Sequence, residues 1–113
     1  MVAGKFKKQG YEEWLIDADF SKNMDIDGGE DLVLVNCTVV AVDKDDTDVS
    51  VTITDQSTLA IGTGTDKGRL FILARGGTVA ASPYKITFKS GDTTGVTVSE
   101  KWEKDVKMTI KEI

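Results

Sequence analysis

Apolar and polar residues alternate along this chain in short runs rich in Val, Ile, Thr and aromatics, and Gly- and Asp-rich breaks separate the runs at regular spacing. Side chains of a strand point alternately to opposite faces, so each run can bury one face and solvate the other. A helix would need apolar residues three and four positions apart instead. In residues 12–20, Trp14, Ile16, Ala18 and Phe20 share one face and Asp17 and Asp19 the other, as in a half-buried first strand. Residues 32–42 put Val33, Val35, Cys37, Val39 and Ala41 on one parity, which predicts a long central strand. The Asp-rich stretch 43–48 reads as a turn. Beyond it Val49, Val51 and Ile53 alternate with Ser50, Thr52 and Thr54, which predicts a hairpin with the preceding strand.

The second half of the chain continues the pattern. A short edge strand is expected at 59–61, a flexible glycine-rich turn at 62–68 and a strand at 69–74. Tyr84, Ile86 and Phe88 then face inward with Lys85, Thr87 and Lys89 outward. In 102–110, Trp102, Val106, Met108 and Ile110 oppose Glu103, Asp105, Lys107 and Thr109, and Lys104 interrupts the inward row, which predicts a bulge or an exposed strand start there. No amphipathic helix competes, so the chain is all-β. With 113 residues it holds one core, on a scale of roughly 100–200 residues per domain.

Charge narrows the functional classes. Fourteen Lys and Arg against 19 Asp and Glu leave a net charge of −5, which opposes loose binding to nucleic acid. There is no histidine, so His-based acid–base chemistry and His-liganded zinc are excluded. The single cysteine, Cys37, has no disulfide partner in the chain and sits in an apolar run, as a buried, inert thiol would. No apolar run approaches the ~20 residues of a membrane helix, and residues 1–10 lack the hydrophobic core of a signal peptide. Residence in a cytoplasm and no membrane partner are therefore expected. Lys5, Lys7 and Lys8 lie with Gly4 and Gly10 in residues 1–10, which show no apolar alternation. This segment reads as a flexible basic arm ahead of a single domain at 11–113, either merely solvated or docking on the acidic surface of a partner.

The remaining candidates each have an ordinary structural reading. Asn23, Asp25, Asp27 and Gly28 match the opening of an EF-hand loop, but Leu34 occupies the position that needs a bidentate glutamate. Calcium could otherwise take Asp25, Asp27, Glu30 and Asp31, or Asp43, Asp45, Asp46 and Asp48, although acidic turns between strands are ordinarily just solvated. Asp17 and Asp19 lie about 7 Å apart on one strand face, a spacing of little weight without a cleft. Gly62, Gly64 and Gly68 lack the phosphate-loop pattern and serve turn geometry. Trp14 and Trp102 are candidates for sugar stacking or partner binding, with packing at the core edge as the simpler role. No catalytic residue, metal or cofactor is assigned, and the residues name no reaction.

Tyr84 sharpens the fold. About seven strands in roughly 100 residues is the count of an immunoglobulin-like antiparallel β-sandwich. In such sandwiches a tyrosine opening the penultimate strand returns its hydroxyl to the backbone a few residues upstream. The run from Gly77 and Thr78 through Pro83 and Tyr84 to Phe88 looks like the corner of fibronectin type III and bacterial immunoglobulin-like modules, and the absence of a cysteine pair places it with the disulfide-free branch.

Over residues 11–113 the chain resembles small structural and accessory proteins of tailed bacteriophages and prophages. The residues that carry this are Trp14-Leu15-Ile16-Asp17-Ala18-Asp19-Phe20, the run Val39-Val40-Ala41-Val42-Asp43, Gly76-Gly77-Thr78 ahead of Tyr84-Lys85-Ile86-Thr87, and the closing 102–113. The opening keeps only a Trp-Leu variant of the Asp-Trp-Ser-x-Trp stretch common in that group. The resemblance implies a non-enzymatic head, neck or tail component, assembled in the bacterial cytoplasm and carried in the virion. Its partners would be other virion proteins or further copies of itself, with Lys5, Lys7 and Lys8 as the docking segment. The alternative of another class is a carbohydrate-binding or adhesion module that touches a cell surface through its loops and aromatics.

Overall fold

The computed structural model describes residues 2–24, 26–91, 93 and 101–111. Among the described residues seven strands form, β1 (Val2–Lys8), β2 (Trp14–Asp19), β3 (Thr38–Val42), β4 (Thr54–Ile61), β5 (Arg69–Ala74), β6 (Tyr84–Lys89) and β7 (Glu103–Ile110). They make a four-stranded sheet in the order β1-β7-β6-β3 and a three-stranded sheet in the order β2-β5-β4. Alternation puts Ile16, Ala18, Leu70, Ile72 and Ala74 of the smaller sheet into one core with Val39, Ala41, Ile86, Phe88, Val106, Met108 and Ile110 of the larger. The fold is an all-β sandwich, and burying one face of each sheet against the other is what drives it.

Several expectations are corrected. Residues 2–8 are not part of an arm outside the domain: they form β1, which runs parallel to β7 from Val2 opposite Asp105 to Lys8 opposite Ile110. The other ladders are antiparallel, so the sandwich is not uniformly so. Phe6, with its ring stacked on Trp14 at 5.5 Å between centroids, supplies the apolar anchor that holds β1 down.

The run 32–42 is not one strand. A 3-10 turn at Leu34–Asn36, closed by bonds from Asn36 N–H to Val33 O and Cys37 N–H to Leu34 O, rotates the chain out of phase. Leu32 and Cys37 are buried as a result, while Val35 is 87% exposed although it shares the apolar parity. Nor does 49–54 return as a hairpin strand. The Asp48 carboxylate accepts bonds from the Ser50 amide and hydroxyl, and the Ser50 hydroxyl in turn accepts the Ala41 N–H. These bonds start a helical turn, α1 (Ser50–Ile53), where alternation alone predicts extension. The partner of β3 is instead β6, and the expected edge strand at 59–61 is the end of β4.

Lys104 causes no bulge, since the β6–β7 ladder passes evenly through Phe88 opposite Lys104. Its stem lies at the core edge with the ammonium 5.6 Å from the centroid of the Phe20 ring, donating to the Asp19 carbonyl. A long cationic side chain thus occupies an inward position by burying methylenes and keeping its charge bonded.

Candidate functional site

The outer face of the four-stranded sheet is built from the residues that alternation excludes from the core. Lys5 and Lys7 come from β1, Glu103, Asp105, Lys107 and Thr109 from β7, Lys85, Thr87 and Lys89 from β6, and Val40 and Val42 from β3. Register then decides which of them meet. Lys5 stands opposite Lys107 and Lys107 opposite Lys85, so three lysines form one row across three neighbouring strands, with Val42 closing it on β3. Adjacent strands lie about 4.8 Å apart, which crowds the three stems side by side. Lys7 flanks the row beside Thr109. All four side chains are exposed, and none has an ion-pair partner among the described residues. A hollow of about 360 Å3 opens between Lys5, Phe6, Lys7, Lys107 and Thr109. A second, of about 370 Å3, adjoins Lys85 and Lys89 and is rimmed by Asp46, Glu103 and Asp105.

Several carboxylates are engaged elsewhere. Asp105 accepts the Thr87 hydroxyl at 2.8 Å. On the other sheet Arg69 binds Asp17 at 3.0 Å, Asp19 at 3.4 Å and Asp66 at 3.8 Å, and Arg75 binds Asp55 at 3.6 Å. Asp17 and Asp19, weighed above as a carboxylate pair, are therefore a clamp on a strand-borne arginine.

Of the three lysines expected to dock a partner, the fold keeps two at the surface. Lys8 follows Phe6 by two residues, points inward and is fully buried, donating to the carbonyls of Gln9 at 2.9 Å and of Gly76. Burial pushes its ammonium pKa down, while the carboxylates of Glu12 and Glu13 pull it back up. Lys8 is a tie between the end of β1 and the 75–83 connection, with its ammonium turned away from the surface. Lys85 and Lys107 stand on the outer face with Lys5 and Lys7. Both lie on outward parities already legible in the sequence, but only the ladder register shows that they meet.

Tyr84 opens β6 with its ring buried, and its hydroxyl accepts the Thr78 N–H at 3.0 Å. Cys37 is buried too, its thiol donating to the Ser90 carbonyl at 3.2 Å, and desolvation pushes its pKa up, away from the nucleophilic form. Within the 43–48 turn, Asp43 accepts the amides of Asp45 and Thr47, so its carboxylate is spent on the turn itself. Asp25 lies outside the described residues. Of its expected companions, Glu30 accepts the Thr93 hydroxyl at 2.8 Å and Asp31 accepts the Leu32 amide. No group of three or more potential metal ligands converges among the described residues. Trp14 is 41% exposed beside Tyr11, while Trp102 lines a hollow of about 510 Å3 with Asn36, Thr38 and Glu103.

Asp19, on the smaller sheet, gives the fold a pH signature. The Ser21 hydroxyl, then the Ser21 amide, and more weakly the charges of Arg69 and Lys104 hold its carboxyl below the usual carboxylate range, against a smaller opposing push from burial. A pKa lowered on folding contributes stability that is present above the unfolded value and lost as pH falls through the folded one. Resistance of the parent to urea should therefore weaken on acidification below about pH 4, and Asp19→Asn should make that decline shallower. An identical acid limb in the variant would remove Asp19 from the account.

Comparison with family models, with curated proteins and with solved structures finds no match to this chain.

Proposed function

We propose that this chain is an immunoglobulin-like sandwich serving as a non-enzymatic structural or accessory component of a tailed-phage or prophage virion, working by protein–protein contact. Support for the immunoglobulin-like assignment comes from the strand order, β1-β7-β6-β3 facing β2-β5-β4, with the tyrosine of the penultimate strand bonded back to the preceding connection. Support for a contact function comes chiefly from one observation, the exposed lysine row of β1, β7 and β6. The groups with shifted pKa, Lys8, Asp19, Cys37, Asp48, Asp55 and Arg69, all have structural bonding partners. The virion context rests on the sequence resemblance.

Size-exclusion chromatography with light scattering tests this, on the protein alone and mixed with the products of adjacent genes. A ring of its own copies or a stable complex with a neighbouring gene product is the expected result. A monomer that ignores every neighbour would sink the proposal. The adhesion reading has one observation in its favour, the position of Trp102 in a hollow of about 510 Å3 among polar side chains. Quenching of tryptophan emission by a glycan panel, absent in Trp102→Ala, would favour it instead.

A further inference from the structure

The row Lys5, Lys107 and Lys85 is an expense to the sheet. Like charges directly opposite one another on neighbouring strands repel. The chain holds 19 carboxylates that could have relieved this, yet none forms an ion pair with the row among the described residues. Lysines at an edge such as β1 have a recognised use in blocking strand addition, which accounts for Lys5 and Lys7. It does not account for Lys85, two strands inside the sheet, or for Lys107 between them.

We infer that Lys5, Lys7, Lys85 and Lys107 form the docking site for an acidic polypeptide segment of a partner protein. This rests on the reading of the chain as a protein-binding component and names the surface and the chemistry of its occupant. The patch is compact, two strand spacings or about 10 Å across with Lys7 about 7 Å along β1, and an extended segment repeats its side chains on one face at about that 7 Å interval. Alternate carboxylates on such a segment can therefore reach neighbouring lysines. Nucleic acid fits less well, because its phosphates continue past the patch. Asp105 and Glu103 follow along β7, and the 43–48 turn, with exposed Asp45 and Asp46, leaves the sheet just beyond Val42. A duplex or strand would have to lie over those carboxylates on a chain of net charge −5. Four lysines are also fewer than the roughly 6–10 phosphate contacts typical of salt-sensitive DNA binding.

The test is an amide chemical-shift titration of the full chain with a hexaglutamate peptide and, separately, with a single-stranded oligonucleotide of similar length, in low salt. The peptide should shift amides of residues 5, 7, 85 and 107 and their neighbours, and lose those shifts in high salt as exposed charges are screened. The exposed double variant Lys85→Glu/Lys107→Glu should weaken peptide binding by about tenfold or more. A melting curve matching the parent's certifies that the variant is folded, and Lys85→Gln/Lys107→Gln serves if it is not. Peptide shifts that are absent, scattered or unaltered in the variant would overturn the inference. Tighter binding of the oligonucleotide at the same amides would overturn it in favour of nucleic acid. Salt-dependent self-association of the free protein, abolished by the reversal, would overturn it in favour of a second copy. Because the probe is a defined peptide, these outcomes do not depend on virion membership. A complex with a neighbouring gene product that survives the charge reversal would leave the proposed function standing and move its docking surface elsewhere.

Discussion

A chain beginning at residue 9 should lose most of its folding stability, at least about 4 kcal/mol from lost apolar burial and hydrogen bonds. A domain of this size has only about 5–15 kcal/mol to lose. Deleting β1 strips the parallel ladder from β7 and leaves that strand as a bare edge. It also removes Phe6 from Trp14, and the Lys8 ammonium from the carbonyls of Gln9 and Gly76. The same deletion in a flexible arm would cost nothing, so a urea midpoint equal to the parent's would show that β1 contributes nothing to the fold. Point variants divide the effect by parity. Lys8→Met keeps the buried stem but strands those carbonyls, for an expected loss of roughly 1–3 kcal/mol. Lys5→Gln with Lys7→Gln, both on the exposed face, should stay within about 0.5 kcal/mol of the parent. Loss of partner binding on deleting the N-terminus would therefore say nothing about docking, because the sandwich itself is damaged. Only the surface pair isolates the contact function.

The strands that the sequence makes legible carry their own alternation through to the core: Ile16, Ala18 and Phe20; Leu70, Ile72 and Ala74; Ile86 and Phe88; Val106, Met108 and Ile110. Alternation misleads where a tight turn interrupts the extended chain, closed by backbone bonds at 34–36 and by the Asp48 and Ser50 side chains at 48–50. Val35 and Val51 lie on apolar parities yet are 87% and 75% exposed, because the Leu34–Asn36 turn and the Asp48–Ser50 bonds redirect the chain. β1 is hidden for a different reason. Its pairing is with the last strand of the chain, and parallel neighbours leave no local turn signal. One clue was present, since Lys8 falls two residues after Phe6 and shares its face, which separates it from Lys5 and Lys7. Sequence proximity groups the three lysines, whereas strand geometry divides them. The lysine row was out of reach for the same reason: Lys85 and Lys107 are visibly outward, but their meeting with Lys5 depends on two ladders joining distant parts of the chain.

Gly77→Ala should cost roughly 2–4 kcal/mol, from backbone strain and overpacking together. Gly77 has φ of +97°, a region closed to most side chains, and its position is crowded as well. A Cβ there would lie 2.8 Å from Ile110 Cδ1, 2.9 Å from Ile110 Cγ1 and 3.1 Å from the Tyr84 ring. The surrounding junction has little freedom to yield. Thr78, the next residue, is bonded to the Tyr84 hydroxyl, Gly76 receives the Lys8 ammonium, and a Cβ on Gly10 would come within 2.9 Å of the Gly77 carbonyl. The corner and the end of β1 are thus one packed unit, and a methyl group at Gly77 presses on both. Tyr84→Phe, which removes only the hydroxyl and leaves the partly accessible Thr78 amide to water, should cost less, about 1 kcal/mol. A double-mutant cycle separates strain from crowding at Gly77. Ile110→Val deletes Cδ1, the nearest atom, so if crowding dominates, the pair should lose less stability than the sum of its single changes. Strict additivity would assign the cost to φ alone. A Gly77→Ala variant within about 0.5 kcal/mol of the parent would mean that the corner relaxes freely, and that the link from Lys8 through Gly76 to Tyr84 is not a rigid one.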